Sequence, residues 1–148
     1  MATYTLEWLY QQIVEGAPEA VIFADHEGLI RLWNSGAEAM FGYKAEEAIG
    51  QSLDLIIPER LRGRHWEGYH KVMATGETRY GKDLLAVPAV RKDGTRLSLE
   101  FSIVLLRSET GEPIGTAALI RDVTARWQQD RALRERVAAL EAAQKKPE

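Results

Sequence analysis

The 148-residue chain contains no cysteine. That absence excludes disulfides, thiolate-held metal centres, thiol nucleophiles and any chromophore held through a sulfur adduct. Histidine is scarce: His26, His65 and His70 are the only three. No apolar run approaches the length of a membrane span. The first residues, MATYTLEWLYQQ, lack the basic-then-apolar order of a secretory signal. The expectation is therefore a cytoplasmic protein without membrane contact. No sign of charge prevails, since 19 Lys+Arg stand against 22 Asp+Glu for a net −3. Such a balance gives no field to steer the chain toward nucleic acid or anionic lipid. There is no Gly-x-Ser-x-Gly turn and no glycine-rich phosphate loop. With no catalytic constellation in view, an enzyme is not expected.

What is present is an ordinary globular balance, 45% hydrophobic and 28% charged, at a length that suits one domain. Residues 1–16 read as an N-terminal amphipathic helix, with Leu6, Leu9 and Ile13 at helical spacing and Gly16 and Pro18 closing it. EAVIFAD and LIRLWN, joined by the turn signal DHEG, predict a hairpin. NSGAEAMFGYKAEEAIG predicts two short helices, with Asn34 or Ser35 as a cap. SLDLIIP predicts a brief extended or one-turn segment, and ERLRGRHWEGYHKVMATGE a longer helix ending near Gly76. Three strands follow: TRYGKDLLAVPAVR, TRLSLEFSIVLLR and PIGTAALIRD. In the second, Leu97, Leu99, Phe101, Ile103 and Leu105 alternate onto one face. Strands grouped around short helices predict an α+β domain with an antiparallel sheet. Residues 125–148 form a C-terminal helical linker. Leu133, Val137 and Leu140 offer it a coiled-coil seam, with Asp130 and Gln144 as weaker members; the alternative is a helix folded back on its own domain.

Several phrases together resemble the PAS domain family. IRLWNSGAEAMFGYKAEEAIGQSLDLIIPE resembles its second strand and short helices, with the Asn-x-x-Ala-x-x-x-Phe-Gly-Tyr pattern. VRKDGTRLSLEFSI resembles its hairpin into the long strand. GTAALIRDVTAR resembles its last strand and Asp-Val-Thr exit into a signalling helix. The resemblance implies a PAS fold over residues 17–124: a five-stranded antiparallel sheet with short helices on one face, flanked by the N-terminal and C-terminal helices. It further implies a sensory module of bacterial signal transduction, cut from a larger protein and paired as a homodimer through the two terminal helices. Asp122 and Thr124 would couple the sheet to the tail, Thr124 as the helix cap and Asp122 bonding the backbone at its start.

The helix containing RHWEGYH carries the candidate site. At about 100° per residue from Leu61, Val72 falls near ~20°, His65 near ~40°, Tyr69 near ~80° and His70 near ~180°. His65 thus lies within the apolar stripe and His70 at its edge or outside. In haem-binding PAS sensors, such as the rhizobial oxygen-sensing kinases, the axial histidine lies on this helix ten residues before a Thr-Gly pair. His65 stands ten residues before Thr75-Gly76. This closer resemblance implies haem b for gas or redox sensing, with His65 as the axial ligand and His70 as second choice. Tyr69, Val72, Leu85, Leu99, Phe101 and Ile103 would be the walls. Those sensors place a polar residue, often arginine, on the strand after the helix. The ungapped match here is Leu85, a departure that leaves the sixth iron position without a protein ligand and oxygen-specific stabilisation in doubt. Arg79 and Asp83 are nearby substitutes.

Two alternatives stand beside haem. One is a domain without a cofactor, either taking a small-molecule ligand in the pocket or serving as a dimerisation module whose own side chains fill it. The other is flavin (FAD), for which Trp33, Asn34 and Trp66 would supply an aromatic face and amide hydrogen bonds. His26 reads as an exposed turn residue, and the arginines of RLRGRH as a solvated helix start.

Overall fold

The computed structural model describes residues 3–78 and 85–145, with the side chain of Leu85 outside that description. Thr5 starts the first helix: its hydroxyl accepts the amide of Trp8 at 3.1 Å, and α1 runs Leu6–Gly16. β1 (Ala20–Asp25) and β2 (Ile30–Trp33) form the hairpin predicted around DHEG. Asn34 then caps α2 (Ser35–Phe41), and α3 (Ala45–Ala48) follows. A 3-10 turn, Leu53–Leu55, leads past Pro58 into α4 (Glu59–Thr75). Gly76 ends α4 in the left-handed conformation at φ 72°, which a residue with a Cβ adopts reluctantly.

The remaining strands are β3 (Leu85–Val90), β4 (Arg96–Arg107) and β5 (Pro113–Asp122). All neighbours pair antiparallel in the order β2-β1-β5-β4-β3. The first and last strands of the chain thus lie side by side, which brings the exit of β5 back to the domain's centre. α5 (Thr124–Gln144) leaves from there, and none of its residues is buried. The reading of the tail as a helix folded back on its own domain is therefore corrected: α5 meets the sheet only at its start.

One face of the sheet is covered. Leu97 and Leu99 of β4, Ile120 of β5 and Ala20 and Ile22 of β1 pack there with Trp33, Phe41, Ala48 and Ile56. Asn34 lies at the centre of this core, fully buried. Its Oδ1 accepts the amides of Val21 at 2.8 Å and Ala37 at 2.9 Å, and its Nδ2 donates to the carbonyls of Val14 at 2.7 Å and Glu19 at 3.0 Å. A buried polar side chain is tolerated because its donors and acceptors are matched. One side chain thereby ties the end of α1, the linker, β1 and α2 together.

Candidate functional site

A second, smaller cluster lies under α4: Ala24, Tyr69 and Met73 are buried there, with Leu53, Trp66, Val72 and Leu105 half-buried around them. The buried stripe of α4 is thus centred on Tyr69 and Met73 rather than between Leu61 and Tyr69. His65 falls at its edge, half-buried, and His70 is exposed.

Two aromatic side chains hold α4 in place. The Trp66 indole donates to Asp54 Oδ1 at 2.7 Å and lies over Gly28. Gly28 has φ 83°, and a Cβ there would run into the indole ring. The Tyr69 hydroxyl meets the carbonyls of Ala24 at 3.1 Å and Asp25 at 2.5 Å. The helix is therefore fixed to the β1–β2 turn, and its histidine is positioned by that attachment.

The His65 ring stands edge-on to Trp66 at 4.7 Å between centroids and 5.8 Å from Tyr69. Its Nδ1 is buried with no hydrogen-bond partner. Burial lowers its pKa; the Asp54 carboxylate works against this and His70 adds to it. The imidazole is accordingly held neutral near pH 7, the form that carries a lone pair for a metal. An unpartnered buried nitrogen costs free energy unless something compensates it.

The inner face of β4 continues past Leu99 as Phe101, Ile103 and Leu105, paired with Ile120, Ala118 and Thr116 of β5. Of these six only Ile120 is buried; the others are half-buried although they lie on the covered face. Tyr69 and Val72 belong to the cluster under α4, whereas Leu99 is buried in the main core with Phe101 half-buried against it. Leu85 pairs opposite Phe101 through its backbone. Arg79 and Asp83 lie outside the described residues.

Other candidates have different roles. Trp33 is buried against Phe41 and Tyr43 and donates to the Tyr43 carbonyl at 2.9 Å. With Asn34 also committed to the core, two of the three side chains suggested for flavin are unavailable to it. His26 is exposed in its turn. Among the described residues, no group of three or more His, Cys, Asp or Glu side chains could hold a metal ion, and no helix is long and apolar enough to cross a membrane. Arg62 of the basic cluster is bound to its own chain, donating to the carbonyls of Ile57 at 3.0 Å and Asp54 at 3.2 Å.

At the exit from β5, Asp122 bonds the backbone at the helix start, and Thr124 lies one position past the cap expected of it. Asp122 Oδ1 accepts the amide of Thr124 at 2.9 Å and its hydroxyl at 2.5 Å. Thr124 does not cap the helix. It is the first helical residue, and its hydroxyl oxygen accepts the amide of Ser98 at 2.9 Å, while Val123 donates to the Ser98 carbonyl at 2.9 Å. Arg126, one turn on, is ion-paired with Glu100. Sequence reading did not reach Ser98 and Glu100. They occupy β4 positions alternating with the apolar ones, and only the pairing of the strands brings α5 to them.

Residues 9–123 match the family model described as PAS fold. The chain is 33% identical over 134 residues to sensor protein FixL of Bradyrhizobium diazoefficiens, covering 90% of this chain and 26% of that protein. It is 28% identical over 112 residues to oxygen sensor protein DosP of Escherichia coli, covering 76% of this chain and 14% of that one. The chain therefore spans about a quarter or less of the length of these two relatives. Among solved structures, a PAS domain from Colwellia psychrerythraea superposes with a TM-score of 0.71 at 22% identity, covering 82% of this chain and 99% of that one. An RNA-binding light-oxygen-voltage receptor superposes with a TM-score of 0.72 at 20% identity, covering 93% and 39%. At such identities the structural likeness shows the fold alone.

Proposed function

The chain belongs to the PAS-fold family of sensory and regulatory modules, which are not catalysts, and on that premise we propose that it is the haem-holding input domain of a larger bacterial signalling protein. The observation that carries this reading is His65: a neutral, half-buried imidazole with an unpartnered buried nitrogen, set against Trp66 and Tyr69 on the helix that packs on β5. The similarity to an oxygen sensor protein supports it. His65 would be the axial ligand, with Tyr69, Val72, Phe101 and Ile103 as walls, Leu99 farther along β4, and the backbone of Leu85 paired opposite Phe101. Haem supplies an iron atom whose other axial position takes a diatomic gas or responds to redox state.

The chain's own residues do the rest. Tyr69 and Trp66 fix the helix that bears His65, so that the ring is oriented before any ligand arrives. Phe101 and Ile103 alternate along β4 with Glu100 and Ser102, so a displacement of the inner wall moves the outer face as well. Ser98 and Glu100 pass that displacement to Thr124 and Arg126 at the root of α5. A bias of a few kcal/mol between two arrangements of that root is enough to switch an output. The switch would act in a homodimer formed through α1 and α5.

Titration of the purified chain with haem tests the reading. A saturable 1:1 complex with a Soret band is expected; His65→Ala should abolish it and His70→Ala should leave it. Loss with His70→Ala alone would move the ligand to that residue, and the absence of any saturable complex would remove haem altogether.

A second reading, a cofactor-free pairing module, draws support from α1. Leu6, Tyr10 and Ile13 on that helix are 62–66% exposed, an apolar stripe that asks for a partner. It predicts a dimer indifferent to haem.

A further inference from the structure

Through Tyr69, Val72 and Met73, α4 rests on Ala24 of β1 and Leu105 of β4. Strand pairing places Thr116 of β5 between Ala24 and Leu105, and sets Ile22, Ala118 and Ile103 side by side in the next row. The alternation of each strand turns these six side chains to the covered face. Five of them are apolar. The sixth, Thr116, already bonds the phenol of Tyr69 through its hydroxyl.

The helix above adds two polar donors, and both are committed. The Tyr69 hydroxyl is held by the carbonyls of Ala24 and Asp25, and the Trp66 indole by Asp54. His65 is the iron ligand in the reading above. Among the described side chains between α4 and these two rows, no hydrogen-bond donor is left over for a bound gas. From this distribution of donors we infer that the haem-loaded domain selects carbon monoxide over dioxygen. The inference rests on the haem reading and adds to it the class of gas.

The two gases ask different things of the wall. Dioxygen on a ferrous haem draws electron density outward and becomes a charged acceptor, while carbon monoxide stays close to neutral. A donor within reach therefore strengthens the first and leaves the second nearly unchanged. One charge-assisted hydrogen bond is worth about tenfold or more in affinity. Ile22, Ala118 and Ile103 offer dispersion contact to both gases and that bond to neither. Turning the hydroxyl of Tyr69 or Thr116 toward a gas would strand a carbonyl or a phenol oxygen in a buried place, which offsets the bond gained.

Gas binding to the reduced, haem-loaded 148-residue chain tests this. Stopped-flow association and dissociation rates give the two dissociation constants, and the readout is the ratio of the dioxygen value to the carbon monoxide value. Reduced haem carrying one imidazole in an apolar solvent is the donor-free reference. The chain's ratio is expected to lie within about tenfold of that reference, and the isosteric Thr116→Val should leave it there. A ratio further than that below the reference shows a donor acting on the gas; it overturns the inference and leaves haem in place. A Thr116→Val chain that loses dioxygen affinity about tenfold at constant carbon monoxide affinity does the same. The haem-free chain gives an independent readout. Its NMR spectrum should show the Tyr69 hydroxyl proton in slow exchange, and a rapidly exchanging one would free that donor and overturn the inference. Failure to form any Soret complex removes the haem reading and this inference together.

Discussion

Tyr69, on the fourth helix, donates its hydroxyl to the main-chain carbonyl of Asp25 at 2.5 Å, a contact that joins residues 44 positions apart. The ring below is buried with Ala24 and Met73. Burial also raises the phenol's pKa, so it remains a donor throughout the physiological range. Tyr69→Phe keeps the packing and removes the bond. The expected loss is about 1–2 kcal/mol, with part of the carbonyl pair left unmatched. Urea unfolding should show it as a lower midpoint at unchanged slope. An unchanged midpoint would mean that the hydroxyl does not hold α4.

Gly28→Ala should act on the same helix from the other side. The residue would have to keep φ 83° and would meet the Trp66 ring. The backbone conformation alone costs about 1–2 kcal/mol. Because Trp66 must move, haem affinity should fall by more than Tyr69→Phe lowers it. Equal unfolding midpoints for Gly28→Ala and the parent would contradict the packing of Trp66 on this turn.

Asn34→Ala should be the most damaging of the four changes. It strips partners from the amides of Val21 and Ala37 and from the carbonyls of Val14 and Glu19 at a fully buried site. At least 3 kcal/mol is expected to be lost, roughly the cost of two or three stranded buried groups. Guanidinium unfolding measures the stability, and hydrogen exchange should show α1 released before the sheet. Loss confined to α2 would reduce Asn34 to a simple cap.

The pH dependence follows from His65. Burial lowers its pKa in the folded chain, so the unfolded chain takes up a proton first as pH falls. Its contribution to stability is complete above the unfolded value of about 6.5 and declines as pH drops from there toward the lowered folded value. Asp25 acts at lower pH. Burial pushes its carboxyl up, but hydrogen bonds from Arg31, Leu29 and Glu27 outweigh that and lower it, so its contribution fades only through the acid range. The urea midpoint should therefore fall between pH 7.5 and 5.5, and His65→Gln should flatten that fall. A fall of the same size in His65→Gln would assign the effect to other groups.

Much of this architecture was legible in one dimension. The hairpin at DHEG, a cap at Asn34 or Ser35, the end of α4 at Gly76 and the alternation of Leu97 to Leu105 all depend on neighbours in the chain, and the fold has each of them, with Asn34 as the cap. The position of His65 was legible only in part. A helical projection gives relative angles, but the direction that counts as inward is set by what the helix rests on. Trp66 and Tyr69, bonded to Asp54 and to the β1–β2 turn, turned the buried face by about one residue and left His65 at its edge.

By itself the sequence determined which segments could be helix or strand, that no thiol chemistry is available, and that one histidine stands at a given interval from a helix end. Those follow from covalent identity and short-range periodicity. Tertiary structure alone decided that Thr124 serves Ser98 rather than the helix N-terminus, that Glu100 meets Arg126, and that Trp33 and Asn34 are taken up by the core. Each of these depends on contacts between residues distant in the chain. The pairing of β1 with β5 and of β5 with β4 creates them, and no local pattern encodes a register between strands so far apart.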